Sequence, residues 1–238
     1  MCDLLDKVTF VWFDLDDTLW DFTRNSEAAL LSIYSDYDLG RRFSSAGEWL
    51  ERYEAINLPL WDRYSRGEIT KEFLQGERFY RTLVNAGFTG EELAELEGMN
   101  EIYLDRLASQ RLAIEGSHEI LAALKKMGLR TGILSNGFSG VQQRKLKNAG
   151  LTVDVVVLSD EIDINKPNRG LYDYALEKAG VRAEESLMVG DNPTTDIEGA
   201  LNAGWRAVLF DPKASTGTTV RIGGIDVPVI NRLCDLIV

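Results

Sequence analysis

Carboxylate and hydroxyl side chains follow a short apolar run near the start of this 238-residue sequence. The run, residues 8–13, is rich in β-branched and aromatic residues, which predicts a buried strand. Three carboxylates and a hydroxyl follow between Asp14 and Thr18. Because burial of an unpaired carboxylate costs several kcal/mol or more, we expect Asp14 at the carboxyl end of the strand, in the crevice where open α/β sheets bind ligands. An ordinary solvated acidic turn is the alternative.

Polar residues also follow three later predicted strands. They are Ser135, Asn136 and Gly137 after the second strand, Lys166 in the loop after the third, and Asp191 and Asp196 after the fourth. In a doubly wound sheet these loops open at the same edge as Asp14. The hydroxyl of Ser135 and the amides of Asn136 and Gly137, near a helix start, would hydrogen-bond anionic oxygens.

The carboxylates at this edge need positive charge nearby, because close carboxylates raise one another's pKa. Lys166 supplies one charge, and Mg²⁺, a hard ion that prefers oxygen ligands, would supply the rest. A site with acidic metal ligands, a lysine and amide donors fits a tetrahedral dianion such as a phosphate.

The rest of the chain shows two patterns of predicted secondary structure, one before and one after about residue 112. From about residue 112, helices alternate with short apolar strands, which predicts a doubly wound parallel α/β sheet. The predicted strands are 130–134, 153–158, 186–189, 206–210 and 227–230, and the helices are 117–127, 139–149, 168–179 and 195–203, each followed by a glycine. Residues 213–224 are predicted to form a surface loop, and a final helix is expected from Asn231.

The segment between the first strand and residue 112 has helical spacing only. Helices are predicted near 25–34, 48–56, 61–66, 71–86 and 90–109. We therefore expect a core domain formed by 1–17 and 113–238, with an all-helical domain at 18–112. An insertion after the first strand would hang over the crevice that holds Asp14, and this predicts a lid.

Composition narrows the class of protein. The net charge of −12 disfavours a nucleic-acid polymer as partner. No apolar stretch reaches the roughly 18 residues of a membrane span, no secretory signal is evident, and Cys2 and Cys234 lack metal-ligand spacing, so we expect a reduced, cytoplasmic protein. The single histidine, His118, excludes multi-histidine metal sites and leaves acid–base chemistry to carboxylates.

The order Asp-x-Asp-x-Thr, Ser-Asn, Lys and Gly-Asp-x-x-x-x-Asp resembles the haloacid dehalogenase superfamily of hydrolases. The resemblance implies a Rossmann-like core with a type 1 helical cap and a phosphorylated aspartate as intermediate. It assigns Asp14 as nucleophile and Asp16 as general acid and then base. Thr18 would orient the first loop, and Ser135 and Lys166 would bind the phosphoryl group. The Mg²⁺ ligands would be Asp14, the backbone carbonyl of Asp16 and Asp191, with Asp196 as a support for the lysine or for metal-bound water.

Asp16 favours a phosphatase over a dehalogenase. The family's dehalogenases lack an aspartate at that position, since a halide leaves without a proton, whereas an alkoxide needs one. Open alternatives are a sugar-phosphate or general metabolite phosphatase and, with less support, a phosphomutase, a dehalogenase or a non-catalytic phosphate-binding protein.

Further stretches are similar to the bacterial pyrimidine 5′-nucleotidases, namely 57–61, 66–70, 135–143, and 166–168 together with 172–176. This similarity implies a small phosphorylated metabolite as substrate, specifically a nucleoside monophosphate such as UMP, dUMP or dTMP. The aromatic rings of Trp61, Tyr64 and Phe138 could stack on the base, although core packing is the simpler explanation for them.

Overall fold

A seven-stranded sheet forms the centre of the computed structural model, which describes residues 4–215 and 217–237. The strands are β1 (Phe10–Phe13), β2 (Arg130–Ser135), β3 (Val155–Leu158), β4 (Ser186–Gly190), β5 (Arg206–Phe210), β6 (Thr219–Ile222) and β7 (Ile225–Ile230). Their order is β3-β2-β1-β4-β5-β7-β6, and every neighbouring pair is parallel except β6 with β7. The predicted doubly wound parallel sheet is therefore confirmed.

Nine α-helices occur in the described residues. They are α1 (Phe22–Asp36), α2 (Ala46–Ser65), α3 (Lys71–Asn85), α4 (Glu91–Ala94), α5 (Met99–Ser109), α6 (Ser117–Lys126), α7 (Ser139–Ala149), α8 (Arg169–Ala179) and α9 (Gly199–Asn202). A π-helical turn, Pro193–Glu198, leads into α9, and the last described residues form a 3₁₀ turn, Leu233–Ile237, in place of the final helix expected from Asn231. No helix within this part of the chain combines the length and apolar character needed to cross a membrane.

The chain divides into two compact units, one formed by 1–22 and 111–238 and the other by 23–110. The first holds the sheet. The second is helical, and its centre is a cluster of rings in which Tyr53 lies 4.9 Å from Phe79 and 5.7 Å from Tyr103, measured between ring centroids. Residues 18–22 belong to the sheet unit, because Trp20 forms a β-bridge with Ala113.

Two helix predictions in the helical unit are wrong. The predicted break between Ile56 and Trp61 is absent, because α2 continues through Pro59. Proline removes one helical hydrogen bond, but the buried face on both sides of it holds the helix. The predicted single helix 90–109 is instead split into α4 and α5 at Gly98, which has a left-handed φ of 77°.

The region predicted to be a loop at 213–224 is also different. It contains β6, which pairs antiparallel with β7 and adds an edge strand to the sheet. Its burial pattern is mostly exposed, so it lacks the apolar run by which the other strands were recognised. Cys2, one of the two cysteines, lies outside the described residues, and Cys234 is half-buried.

The position of β1 explains why polar residues gather where it ends. Phe13 pairs with Ile133 of β2 on one side and with Val189 of β4 on the other. The chain leaves β1 toward β2 and β3 and then returns to β4 on the opposite side, which makes the end of β1 the switch point of the sheet. Asp14 therefore emerges between the loops that follow β2 and β4.

Candidate active site

Lys166 lies at the centre of a buried cluster at the end of β1. Its ammonium nitrogen is 2.6 Å from Asp14 Oδ1, 2.6 Å from Asp196 Oδ1 and 2.8 Å from the carbonyl oxygen of Leu134. Three acceptors match the three N–H donors of an ammonium group. Burial alone would lower the pKa of Lys166, but the charges of Asp14 and Asp196 outweigh it and raise that pKa, so the lysine is a cation.

Asp14, Asp191 and Asp196 bring carboxylate oxygens within 4.8 Å of one another. Burial raises the pKa of Asp14 well above its usual value, and the neighbouring carboxylates add to this against the opposing charge of Lys166. Burial likewise raises the pKa of Asp191 to about 7, helped by the charge of Asp196. With every carboxylate ionised, the three aspartates and Lys166 carry two negative charges.

That excess of charge, on oxygen donors, is what a hard divalent cation such as Mg²⁺ would balance. The side chain of Asp191 is held in place for a role as ligand to such a cation, because its Oδ1 accepts a hydrogen bond from Thr18 Oγ1 at 3.1 Å. Both oxygens of the Asp196 carboxylate already contact other groups of the protein. Its Oδ1 faces Lys166 and its Oδ2 accepts from the backbone N–H of Asn192 at 3.0 Å.

Gly190 lets Asp196 approach the sheet. A Cβ atom at position 190 would lie 2.4 Å from Asp196 Oδ2, a distance at which atoms overlap. The π-helical turn places Asp196 there, and Tyr172 donates a hydrogen bond from its hydroxyl to the carbonyl of Thr195 in that turn. The Gly-Asp pair seen in the sequence is thus a glycine that makes room for one acid and an acid, Asp191, that faces the cluster.

The loop after β2 is tied to the loop of Lys166. The Asn136 side chain accepts from the Lys166 backbone N–H at 2.7 Å and donates to the Lys166 carbonyl at 3.0 Å. Ser135 is almost fully buried, and its Oγ accepts from the backbone N–H of Gly137 at 3.1 Å. The amide of Gly137, assigned from the sequence to anion binding, donates instead within its own loop.

Asp16 has two partners that the sequence analysis did not identify. Lys145 Nζ lies 2.7 Å from Asp16 Oδ1, and Gln142 Nε2 lies 2.9 Å from Asp16 Oδ2. Both belong to α7, whose buried positions include Gln142, Lys145, Leu146 and Ala149. The spacing of these four positions is that of a helix face packed in the core. Gln142 and Lys145 are polar residues on that face, and this was the signal in the sequence that could have identified them as functional residues.

The three aromatic residues suggested for base stacking lie in different units. Trp61 and Tyr64 are on α2 of the helical unit, with ring centroids 5.6 Å apart, and Phe138 immediately precedes α7 in the sheet unit. Tyr64 and Phe138 are both buried. His118, at the start of α6, lies 2.9 Å from the carbonyl oxygen of Ala149, a structural contact.

The chain is similar in sequence and in fold to known proteins. The profile of the haloacid dehalogenase-like hydrolases matches residues 9–204. Pyrimidine 5′-nucleotidase YjjG of Escherichia coli is 35% identical over 83% of this chain and 84% of its own. Glyceraldehyde 3-phosphate phosphatase of Methanothermobacter thermautotrophicus is 32% identical over 95% and 96%. The crystal structure of the HAD-hydrolase YfnB of Bacillus subtilis, bound to magnesium, has a TM-score of 0.82 at 24% identity, covers 96% of both chains and shares the fold.

Proposed function

Because this chain belongs to the haloacid dehalogenase-like hydrolases, we propose that it is a Mg²⁺-dependent phosphomonoesterase that hydrolyses nucleoside 5′-monophosphates, with pyrimidine nucleotides as its substrates. The observation that carries the proposal is the contact of 2.6 Å between Lys166 Nζ and Asp14 Oδ1. It keeps a cation beside a buried carboxylate at the switch point of the sheet, where a phosphoryl group would enter.

In the first step, a carboxylate oxygen of Asp14 attacks phosphorus. The bond from phosphorus to the ester oxygen breaks, and the proton of Asp16 passes to that oxygen. The products are the free nucleoside and phosphorylated Asp14. A carboxylate nucleophile divides one slow displacement into two faster ones.

In the second step, ionised Asp16 takes a proton from water as the water oxygen attacks phosphorus. The bond between phosphorus and Asp14 breaks, its electron pair returns to the carboxylate, and inorganic phosphate leaves. Asp16 ends the cycle protonated, as it began, so one residue serves both steps.

The oxygens of the phosphoryl group are held by the Lys166 ammonium, the Ser135 hydroxyl and the Asn136 amide, with Gly137 supporting Ser135 through its own amide. Asp14, the backbone carbonyl of Asp16 and Asp191 would hold Mg²⁺, and Thr18 and Asp196 orient Asp191 and Lys166. When bound, the ion would neutralise negative charge on the phosphoryl oxygens in the loose transition state.

In this proposal the helical domain, predicted at 18–112, serves as the lid and sets the choice of leaving group. Trp61 and Tyr64 of that domain and Phe138 of the sheet unit are the suggested contacts to the base. The nucleotidase assignment is supported by 35% identity to a pyrimidine 5′-nucleotidase. A sugar-phosphate phosphatase is the second candidate, because a glyceraldehyde 3-phosphate phosphatase is 32% identical over nearly the whole chain. A cytoplasmic location belongs to the proposal and rests on composition.

A substrate panel tests the proposal. UMP, dUMP, dTMP, glyceraldehyde 3-phosphate and a 2-haloacid are assayed side by side with Mg²⁺, using the parent and Asp14→Asn. We expect the nucleotides to have the highest kcat/KM and Asp14→Asn to lose about 10³-fold or more of it. Preference for glyceraldehyde 3-phosphate would replace the substrate and keep the mechanism. Release of halide, or full activity of Asp14→Asn, would overturn the mechanism.

A further inference from the structure

Two polar side chains occupy core positions of α7. Gln142 is fully buried and Lys145 is 2% exposed. They are three residues apart, so they lie on the same face of the helix. Long polar side chains are seldom buried unless they are paired, and both of these reach Asp16.

Lys145 holds the whole carboxylate of Asp16. Its ammonium nitrogen is 2.7 Å from Oδ1 and 3.0 Å from Oδ2. The same nitrogen lies 4.4 Å from the ring centroid of Trp20 and 5.2 Å from that of Phe22. Rings beside the ammonium group restrict where it can go, and contact with both oxygens restricts rotation of the carboxylate.

Gln142 links Asp16 to the loop after β2. Its Nε2 atom donates to Asp16 Oδ2 at 2.9 Å and to Ser135 Oγ at 2.8 Å, which uses both of its protons. The opposite orientation of the amide would turn its oxygen toward the carboxylate. Gly137 makes room for the amide, since a Cβ atom there would lie 2.0 Å from Nε2.

The contact with Gln142 also sets the direction of the Ser135 hydroxyl. Ser135 Oγ accepts from Gln142 Nε2 and from the backbone N–H of Gly137. A hydroxyl has two acceptor sites and one donor. With both acceptor sites occupied by N–H groups, its proton is left to donate, which is what a phosphoryl oxygen requires.

We propose that Gln142 and Lys145 are positioning residues that hold the general acid Asp16 toward the leaving oxygen and, through Gln142, join it to the phosphoryl-binding hydroxyl of Ser135. The inference rests on the proposed function. A general acid must lie within hydrogen-bond reach of the oxygen that it protonates, and displacement of a reacting group by 1 Å costs about 10²-fold in rate. The side chain of Asp16 is 28% exposed, so it needs these anchors.

The nature of the leaving group separates this role from a merely structural one. A nucleoside leaves as an alkoxide and needs a proton, whereas p-nitrophenol leaves as a stabilised anion without one. The value of kcat/KM reports transfer of the phosphoryl group to Asp14, before water attack. The ratio of kcat/KM for UMP to that for p-nitrophenyl phosphate therefore measures how much proton donation by Asp16 accelerates departure of the leaving group. Because both substrates are assayed on one preparation, the ratio is independent of the fraction that is folded.

The variants are Lys145→Met and Gln142→Ala, with Lys147→Met and Gln143→Ala as matched controls, since these lie exposed on the same helix. We expect the ratio to fall by about tenfold or more in Lys145→Met and Gln142→Ala and to stay within about twofold of the parent in both controls. Because Gln142 also holds Ser135, inhibition by inorganic phosphate should weaken more in Gln142→Ala than in Lys145→Met.

An equal loss on both substrates, or a ratio that stays at the parent value, would overturn the positioning role. A fall of the same size in Lys147→Met would do so too. These results differ from failure of the proposed function, in which the parent itself would hydrolyse neither phosphate ester and both proposals would fall.

Discussion

Lys166 Nζ lies 2.6 Å from Asp14 Oδ1, and both side chains are buried. Breaking a buried ion pair by removing one partner is costly, about 3–5 kcal/mol, because the other charge is left uncompensated. Lys166 balances Asp196 as well, so its loss would leave two carboxylates facing each other without a cation.

The first prediction concerns Lys166→Met. We expect the free energy of unfolding in EDTA at pH 8 to fall by about 3–5 kcal/mol and kcat to fall by about 10²- to 10³-fold. The loss of stability should be smaller at pH 5, because burial raises the pKa of Asp14 and so favours uptake of a proton by this carboxylate as the pH falls. Urea unfolding at the two pH values measures this, with the exposed Lys147→Met as control. Equal stability of parent and Lys166→Met at pH 8 would contradict it.

The second prediction follows from the pKa of Asp191, which burial raises to about 7. Between the unfolded pKa near 4 and the folded pKa near 7, the folded protein binds a proton that the unfolded chain does not. Its contribution to stability is therefore greatest at low pH and is lost as the pH rises through that window, by at most about 1.4 kcal/mol per pH unit. Above pH 7 the contribution is constant.

Asp191→Asn cannot make this contribution. In EDTA, its stability relative to the parent should rise between pH 5 and pH 8, as measured by urea unfolding. Asp173→Asn, an exposed position on α8, should show no such trend. A difference between Asp191→Asn and the parent that does not vary with pH would mean that Asp191 is already ionised at pH 5.

The third prediction concerns the metal. Chelation should abolish turnover, and Mg²⁺ should restore it. Mg²⁺ should also raise the thermal unfolding temperature, since a ligand that binds only the folded state at 100 times its Kd adds about 2.7 kcal/mol. The shift should be larger at pH 8 than at pH 6, because Asp191, whose pKa burial raises to about 7, must lose its proton to bind the ion. Activity that is indifferent to EDTA would refute the metal assignment.

The fourth prediction concerns Gly190→Ala. The added methyl group would overlap the carboxylate of Asp196, so Asp196 must shift from the position in which its Oδ1 contacts Lys166. We expect a loss of about 1–3 kcal/mol in unfolding free energy together with a lower kcat. Gly140→Ala in α7 is the control, since no atom lies within 4 Å of the new Cβ, and it should be neutral or stabilising by up to about 1 kcal/mol. Parent-like stability and activity of Gly190→Ala would show that the cluster tolerates movement of Asp196.

Prediction from the sequence was most successful where a local pattern has one structural meaning. The family and the fold class are confirmed, and similarity to nucleotidases and to a sugar-phosphate phosphatase agrees with the main function and its alternative. The glycines expected to end four helices all adopt left-handed conformations with φ between 65° and 84°. Glycine after an apolar helical face is a direct consequence of backbone sterics, so it needs no knowledge of distant contacts.

Prediction failed where packing outweighed the local rule. Pro59 predicts a helix end, yet a buried face on both sides carries α2 through it. The strand β6 has little apolar character because it forms an exposed edge, and only its pairing with β7 defines it.

The sequence by itself determined which residues lie near the end of β1, because parallel strands bring their carboxyl ends, and the loops after them, to one edge. Only the tertiary structure decided which of them touch. Lys145 is 129 positions from Asp16, and Gln142 is 126 positions from it. The helical spacing of α7 predicts that both side chains face the core. It does not predict which residue they contact, since that depends on how the helix packs against the sheet.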